Sequence, residues 1–347
     1  MIFNILEKIS RANLQAKIRT THLNLDASGV FSEMAFGDLA LQVFKYQYTY
    51  NSFYRRYSSL IGKNVENVAN VTDIPFLPIQ FFKNQTIKTG KWQPQTTFTS
   101  SGTTGITTSS HIVRDMGFYK HIARTGFTQF YGNIANYCVI GLLPSYLERS
   151  GSSLVAMIDD FIRHSKYPES GFFLENHAKL ADILRGCQEK NIPTLLVGVT
   201  FGLLDFIEKH SMNFPNLIVM ETGGMKGRRR EMIRSELHDI IQKGFGISEV
   251  HSEYGMTELF SQAYSRKNGV FNPISTLRVL SREINDPLSI QAKNGQLGVL
   301  NMIDLGNLDT CSFIATDDLG RVHNDNSFEV LGRLDNSDIR GCNLLVL

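Results

Sequence analysis

Short apolar segments alternate with amphipathic segments through the middle of the chain, and this alternation restricts the possible folds more than any other feature. The apolar segments have the length of strands and cover residues 137–143, 194–199 and 217–220. The amphipathic segments have helical periodicity and cover residues 153–164, 203–210 and 229–243. This alternation is typical of βαβ units, in which helices cover both faces of a parallel sheet. The sequence therefore predicts an α/β fold with ligand sites at the carboxyl ends of the strands.

The regions on either side differ from this pattern. Toward the end of the chain, short apolar segments separated by Gly, Asn and Asp predict an antiparallel subdomain; these segments are 297–300, 311–315 and 328–331. Between residues 36 and 57, large apolar side chains recur at helical spacing, which predicts a helix with one buried face. Residues 74–83 place prolines among large apolar residues, which favours an extended, well-packed connector over a central strand.

Charge and composition exclude several classes of protein. The 347 residues include 35 basic and 33 acidic side chains, so the net charge of +2 creates no field that would attract nucleic acid. The sequence has no run of about 18 uncharged apolar residues, so no membrane insertion is expected. The cysteines are widely spaced and form no Cys-x-x-Cys pair, which indicates reduced thiols and a cytoplasmic location. They are Cys138, Cys187, Cys311 and Cys342.

A loop of Ser, Thr and Gly follows Phe98 and contains no charged or bulky side chain. Glycine lets backbone N–H groups approach a phosphate closely, and hydroxyl groups can rotate to donate to phosphate oxygens. The loop is not a Walker loop, because the nearest downstream lysine is Lys120. A solvated linker is the alternative for a stretch of this composition. The predicted phosphate-binding residues are Thr99, Ser100, Ser101, Gly102, Thr103, Thr104 and Gly105.

Three further segments contain residues suited to the other parts of a nucleotide. Residues 221–224 offer a backbone shelf that is flat enough for a purine. Tyr254 could stack on that purine, and Glu258, four residues later, could hold Mg²⁺. Asp318 would supply a carboxylate for the ribose hydroxyls. Each of these segments taken alone also fits a plain turn or a core tyrosine.

In their order along the chain, these segments resemble four motifs of the adenylate-forming superfamily of acyl-CoA synthetases. The motifs are the phosphate loop, Tyr-Gly-x-Thr-Glu, Thr-Gly-Asp and Gly-Arg-x-Asp, the last of which corresponds to residues 332–335. Within the superfamily, most of the chain resembles the acyl-protein synthetases, the long-chain-fatty-acid–luciferin-component ligases. The resemblance implies that a fatty acid is activated with ATP and Mg²⁺ as acyl-AMP. The acyl group would then pass to a cysteine thiol and on to a reductase subunit.

The resemblance also implies roles for individual residues. Catalytic roles fall to Cys342, Thr257 and Glu258, and Glu258 would also be the metal ligand. Cys342 would carry the acyl group, and the neighbouring Arg340 could stabilise its thiolate. Together with the loop, the nucleotide would be bound by Gly223, Gly224, Tyr254, Gly255, Asp318 and Arg333.

Two departures from the superfamily pattern bear on the expected fold. Ile106-Thr107-Thr108 replaces the Pro-Lys-Gly that usually follows the phosphate loop. The chain also stops soon after Asp335, where larger relatives continue into a domain that carries a catalytic lysine. The resemblance therefore implies a large α/β domain of the adenylate-forming type, with parallel sheets flanked by helices and a small antiparallel subdomain, and with a C-terminal lid domain absent or vestigial.

The expected organisation has three parts. They are an N-terminal helical region (1–95), an α/β nucleotide- and acyl-binding core (96–265), and an antiparallel subdomain ending in a truncated C-terminal arm (266–347). Two alternative functions stay open: a ligase that uses CoA or an acyl-carrier protein as acceptor, and a non-catalytic nucleotide-binding subunit of a reductase complex. The acid is also open, because each buried methylene contributes about 0.8 kcal/mol and a single pocket residue can decide chain length.

Overall fold

A computed structural model describes residues 9–25, 31–100, 108–143, 151–223, 232–291 and 295–334. Its helices are α1 (Arg11–Arg19), α2 (Glu33–Tyr50), α3 (Ser52–Leu60), α4 (Phe81–Asn84), α5 (Met116–Tyr131), α6 (Ser153–His164), α7 (His177–Glu189), α8 (Thr200–Ile207) and α9 (Arg234–Phe245). Its strands are β1 (Leu77–Pro78), β2 (Thr96–Thr99), β3 (Ser110–Val113), β4 (Cys138–Leu142), β5 (Gly171–Phe172), β6 (Thr194–Gly198), β7 (Ile218–Glu221), β8 (His251–Tyr254), β9 (Ala263–Ser265), β10 (Val270–Pro273), β11 (Leu277–Arg282), β12 (Gly298–Asp304), β13 (Phe313–Val322) and β14 (Phe328–Arg333).

One large sheet runs through the described chain in the order β11-β12-β13-β14-β10-β9-β8-β7-β6-β4-β5, with β1 beside β13. The strands from β5 to β8 pair in parallel. From β8 onward to β11 the pairing is antiparallel. The predicted α/β fold with an additional antiparallel part is therefore confirmed. The three-part division of the chain stays a prediction, and the sheet is continuous across residue 265.

The central parallel strands β4 and β6 are almost entirely apolar because helices cover both faces of the sheet. Val139 and Leu195 pack into one core together with side chains of α5 and α6. Their neighbours Cys138 and Leu196 pack into a second core together with side chains of α7, α8 and α9. Since successive residues of a strand point to opposite faces, a strand between two helical layers needs an apolar side chain at every position. This requirement explains the apolar segments from which these strands were predicted.

The N-terminal helix was expected to run through residues 36–57, but the structure divides it at Asn51. Asn51 has an extended backbone (φ −108°, ψ 101°) and its side chain accepts a hydrogen bond from the backbone N–H of Tyr54. Asparagine is a strong N-cap residue, so it ends α2 and starts α3. Tyr50, part of the expected buried face, is 52% exposed at this break.

The connector at residues 74–83 is well packed, as predicted, and it includes one short strand. Tyr54 donates its hydroxyl hydrogen to the carbonyl of Pro75 (2.6 Å), and Tyr57 does the same to Phe76 (2.8 Å). The two residues of β1 then pair in parallel with β13. The prolines limit β1 to this short pairing, because a proline has no backbone N–H to donate to the hydrogen bonds between strands.

Candidate active site

The carboxyl ends of β7 and β8 lie side by side. Met220 pairs with His251 and Glu221 pairs with Ser252, so Gly223 and Tyr254 follow the last paired positions at the same edge of the sheet. Gly223 has φ +72°, is exposed, and has no heavy atom within 4 Å of the position that a Cβ would occupy. An open backbone of this kind can receive a flat ring. Gly224, the other predicted shelf residue, lies outside the described residues.

Three predicted nucleotide-binding residues contact one another. The Tyr254 hydroxyl donates to Asp318 Oδ2 (2.7 Å), and Arg333 Nε donates to Asp318 Oδ1 (3.0 Å). Asp318 and Arg333 are cross-strand neighbours on β13 and β14, whereas Tyr254 comes from β8. Burial, together with the Asp318 carboxylate, raises the pKa of Tyr254 well above its usual value, so the phenol keeps its proton. Asp318 still has free acceptor positions, since a carboxylate can accept about four hydrogen bonds.

The predicted phosphate loop connects β2 and β3. Hydrogen bonds hold together the loop base, which consists of residues 99–100 and 109–110. Thr99 pairs with Ser110 in the antiparallel ladder, and its backbone N–H donates to the carbonyl of Gly151 (2.8 Å). Ser100 N–H donates to the Ser109 carbonyl (3.1 Å), while Ser109 N–H donates to Ser100 Oγ (2.9 Å). The other predicted loop residues lie outside the described part of the chain; these are Ser101, Gly102, Thr103, Thr104 and Gly105.

Glu258 joins this loop base to the segment that follows Tyr254. Its side chain is 5% exposed, and burial raises its pKa, although a hydrogen bond with the side chain of Ser109 opposes the rise. Asn307 Nδ2 donates to the backbone carbonyl of Glu258 (2.7 Å), which fixes the main chain at this point. The positive charge of Arg333 also acts on Glu258, so the loop base and the Tyr254–Asp318–Arg333 contact belong to one site.

Glu258 fits a magnesium ligand of the kind that nucleotide-dependent enzymes use. Within the described residues, no group of three or more His, Cys, Asp or Glu side chains could hold a metal ion. Mg²⁺ usually takes one or two carboxylates and completes its octahedron with water and substrate phosphates. A single buried carboxylate beside the base of a phosphate loop matches that ligand set.

His111 positions the backbone of Thr257; the sequence alone leaves open whether this histidine helps to bind phosphate or carboxylate or is a hydrogen-bonded structural residue. Its Nδ1 is 2.9 Å from the carbonyl of Thr257 and its Nε2 is 2.9 Å from Thr310 Oγ1. A carbonyl can only accept, so Nδ1 carries the hydrogen and Nε2 accepts from the Thr310 hydroxyl. Burial lowers the pKa of His111 to about 4, which keeps the ring neutral. Of the two interpretations, the structure shows the hydrogen-bonded structural one.

Asp304 holds the chain that follows Glu258, and sequence analysis did not identify it. Its carboxylate is fully buried and accepts from the backbone N–H groups of Phe260 (2.7 Å) and Ser261 (2.9 Å). It also accepts from the Ser261 hydroxyl and from Gly306 N–H. Asp304 therefore fixes residues 260 and 261 against the turn that carries Asn307. An Asp at the end of a strand is typical of an ordinary turn, so the sequence alone could not indicate this role of Asp304.

The structure thus brings most of the predicted site residues of its described part to one edge of the sheet. The described ones are Thr99, Ser100, Gly223, Tyr254, Gly255, Thr257, Glu258, Asp318 and Arg333. Cys342, the predicted acyl carrier, lies outside the described residues. Up to residue 334, the described chain contains no separate C-terminal lid domain. No helix in this part of the chain has the length and hydrophobicity needed to cross a membrane.

The fold is that of acid–CoA ligases with known structures. The chain is similar to 2-hydroxyisobutyryl-CoA ligase in complex with its acyl-AMP and CoA (TM-score 0.62, 14% identity), over 89% of this chain and 79% of that one. It is also similar to ATP-bound MatB from Rhodopseudomonas palustris (TM-score 0.51, 15% identity), over 68% of this chain. The match covers 47% of MatB, so the chain spans about half of that protein. The predicted adenylate-forming fold is confirmed.

Curated relatives agree with the predicted resemblance. The chain is 23% identical over 327 residues to the long-chain-fatty-acid–luciferin-component ligase of Vibrio harveyi, covering 87% of this chain and 84% of the relative. The ligase of the same name from Aliivibrio fischeri is 24% identical over 348 residues, which cover 88% and 86% of the two chains. No protein-family model matches the chain. The resemblance and the ligase class predicted from the sequence are thereby confirmed.

Proposed function

We propose that this protein is an ATP-dependent ligase that activates a carboxylic acid, most simply a fatty acid, as acyl-AMP. The observation that carries the proposal is the direct contact of Tyr254 with Asp318 and of Asp318 with Arg333, next to Glu258 and the loop base. These residues come from distant parts of the chain. Apolar side chains could stabilise this edge of the sheet equally well, so a cluster of polar side chains here favours a binding role.

In the proposed complex, adenine lies between the Gly223 backbone and the Tyr254 ring. Asp318 and Arg333 hold the ribose hydroxyls, and the loop that starts at Thr99 receives the phosphates. ATP fits this arrangement because the open backbone and the aromatic ring suit the base, the carboxylate suits the sugar, and the loop suits the phosphates. The 2-hydroxyisobutyryl-CoA ligase and MatB structures contain an acyl-AMP and ATP, which supports this choice of nucleotide.

The proposed reaction is a displacement at the α-phosphorus of ATP. An oxygen of the acid's carboxylate bonds to the α-phosphorus while the bond from that phosphorus to the bridging oxygen of pyrophosphate breaks. Positioning of the two reactants and neutralisation of the charge on the phosphate oxygens supply the acceleration. Mg²⁺ held by Glu258 would supply part of that neutralisation. Thr257, whose carbonyl is fixed by His111, immediately precedes Glu258 in the chain.

We propose that the acyl group then moves to Cys342. The thiolate bonds to the acyl carbon and AMP leaves with the phosphate oxygen. Burial of the other thiols supports this choice, since Cys138, Cys187 and Cys311 are 0%, 1% and 0% exposed. The names of the curated relatives support a reductase-complex partner as the final acceptor, and an acyl-carrier protein or CoA is the alternative. A cytoplasmic location remains a prediction from the cysteine pattern.

Acid-dependent pyrophosphate exchange tests the proposed activation step. Purified protein with ATP, Mg²⁺ and a panel of fatty, aromatic and hydroxy acids is expected to incorporate labelled pyrophosphate into ATP with at least one of them. Hydroxylamine added in a parallel reaction should trap the activated acyl group as a hydroxamate. If the protein binds ATP and supports exchange with no acid of the panel, the non-catalytic nucleotide-binding subunit becomes the better description.

An Asp318→Ala variant is expected to bind ATP about 10- to 100-fold more weakly, because a hydrogen bond to a charged group contributes about 1.5–3 kcal/mol. Calorimetric titration with ATP measures the change. Asp317→Ala is the matched control: the adjacent carboxylate accepts from Gln80 (2.7 Å), whereas the hydrogen bonds of Tyr254 and Arg333 go to Asp318. Equal ATP affinity in folded Asp318→Ala and Asp317→Ala proteins would show that Asp318 does not bind the nucleotide.

A further inference from the structure

The carboxylate of Glu221 is hydrogen-bonded to the open backbone at Gly223. Glu221 is the last residue of β7, and its Oε2 atom accepts from the backbone N–H of Gly223 at 2.6 Å. Glu221 is 5% exposed, whereas Gly223 is exposed. The contact therefore joins a buried acceptor to a main-chain position that a ligand can reach.

Neighbouring elements fix the position of Glu221. Its backbone lies between two parallel strands, because it pairs with Gly198 of β6 and with Ser252 of β8. Its Oε1 atom lies 3.9 Å from Nε2 of His238 in α9, a distance that is too long for a hydrogen bond. The carboxylate is thus held between α9 and the Gly223 backbone, on a strand that cannot shift without disturbing the sheet.

Main-chain hydrogen bonds hold the residues around the Gly223 N–H but not the N–H itself. Thr222 N–H donates to the carbonyl of Gly198 (3.1 Å). Thr200 N–H, at the start of α8, donates to the carbonyl of Gly223 at 3.5 Å, the upper limit for a hydrogen bond. The peptide between these two points carries the Gly223 N–H, and Glu221 holds it there.

The conformation of Gly223 needs such a contact. Glycine adopts positive and negative φ about equally readily, so Gly223 does not by itself keep its observed φ of +72°. In this conformation no heavy atom lies within 4 Å of the position that a Cβ would occupy, which leaves one face of the backbone open. The hydrogen bond to Glu221 selects this conformation among those that glycine can adopt.

A carboxylate at this position has a cost that an apolar side chain would not have. The other residues of β7, 218–220, are apolar, and burying an ionised group is unfavourable unless it is well hydrogen-bonded. Burial raises the pKa of Glu221, but hydrogen bonds to the carboxylate, including the one from Gly223, lower it overall. Hydrogen bonds to charged acceptors are roughly twice as strong as neutral ones. A role in orienting Gly223 explains why this strand ends in a glutamate.

We infer that Glu221 is a positioning residue for the adenine ring, which it serves by holding the Gly223 N–H so that the open face of the backbone is turned toward the base. The inference rests on the proposed nucleotide site and adds a residue to it. Glu221 does not contact the nucleotide in this arrangement. It acts through the backbone of Gly223.

Calorimetric titration of a Glu221→Leu variant with ATP tests this role without catalysis. Leucine is of similar size and has no acceptor for the Gly223 N–H. If the open conformation is then adopted about a tenth of the time, the apparent Kd for ATP rises about tenfold. Glu221→Gln keeps an oxygen acceptor in the same place, so its Kd should stay within about threefold of that of the unaltered protein.

Inorganic tripolyphosphate provides a second ligand that distinguishes positioning from a general disturbance of the fold. It carries the phosphate groups of ATP without the base, so it can occupy the phosphate loop and not the Gly223 backbone. Its Kd, measured by competition with ATP, should be the same in the unaltered, Glu221→Leu and Glu221→Gln proteins. If leucine prevents folding, Glu221→Ala removes the acceptor without adding an apolar side chain, and the same comparison applies.

The outcomes separate this inference from the proposed function. Equal ATP affinity in the unaltered protein and the folded apolar variant overturns the role of Glu221, even if pyrophosphate exchange proceeds. An equal loss of affinity for ATP and for tripolyphosphate also overturns it, and so does a Glu221→Gln protein that binds ATP as weakly as the apolar variant. A loss confined to ATP supports it, and the exchange assay then decides separately whether the protein activates any acid. An unaltered protein that binds no ATP overturns both.

Discussion

A Glu258→Gln variant is expected to catalyse acid-dependent pyrophosphate exchange about 100- to 1,000-fold more slowly than the unaltered protein, the usual cost of removing one preorganised electrostatic contact. Glutamine has the same shape and keeps an oxygen that can accept from Ser109. The hydrogen bond from Asn307 goes to the main-chain carbonyl and does not depend on the side chain. Because burial already raises the pKa of Glu258, removal of its charge should not destabilise the fold. The loss is thus expected in rate rather than in stability.

The measurement compares exchange rates at saturating acid while Mg²⁺ is titrated at constant ATP. Thermal unfolding of both proteins shows whether the fold is retained. Glu249→Gln provides a matched control, because Glu249 is an exposed glutamate outside the site. A folded Glu258→Gln protein with the exchange rate and Mg²⁺ requirement of the Glu249→Gln control would remove Glu258 from the catalytic and metal-binding roles.

The parallel half of the fold could be predicted because its strands have a simple physical signature. A strand such as β4, buried on both faces, must be apolar at every position, and that pattern is visible without a structure. Helix α6 was predicted with its observed bounds, since Ser152 caps it and its apolar positions have helical spacing. Strand β8 was not predicted as a strand, because His251 and Glu253 give it a polar pattern typical of a loop.

The site could be predicted only as a set of separate motifs. Their chemistry follows from residue types, but the contact between Tyr254 and Asp318 joins β8 to β13 across strands that come from later in the chain. Strand order is a property of the whole fold, and no local pattern encodes it. The partners of residues that act through the backbone could not be predicted for a related reason. His111 and Asp304 bond to main-chain atoms of other segments, so their role appears only once those segments are packed together.

A Cys342→Ser variant is expected to form acyl-AMP at an undiminished rate and to lose the acyl-thioester completely. The structure supports Cys342 over the other cysteines, since burial raises the pKa of the Cys311 thiol to about 12 and leaves Cys138 and Cys187 out of reach of solvent. A thiol must be both ionisable and accessible to attack an adenylate. Cys187 is the stringent control among them, because its hydrogen bond from Cys138 lowers its pKa while it stays buried.

The assay incubates unaltered, Cys342→Ser and Cys187→Ser proteins with ATP, Mg²⁺ and a radiolabelled acid that supports exchange, followed by denaturing electrophoresis with and without neutral hydroxylamine. The unaltered and Cys187→Ser proteins should carry a hydroxylamine-labile label, and Cys342→Ser should carry none. A labile label that persists in Cys342→Ser and disappears in Cys187→Ser would place the acyl group on a thiol that has to leave the core to react. A third outcome is that acyl-AMP forms and none of the three proteins is labelled, while added CoA or carrier protein becomes labelled. The acceptor then lies outside this chain, since acyl transfer needs a thiol that the protein itself does not supply.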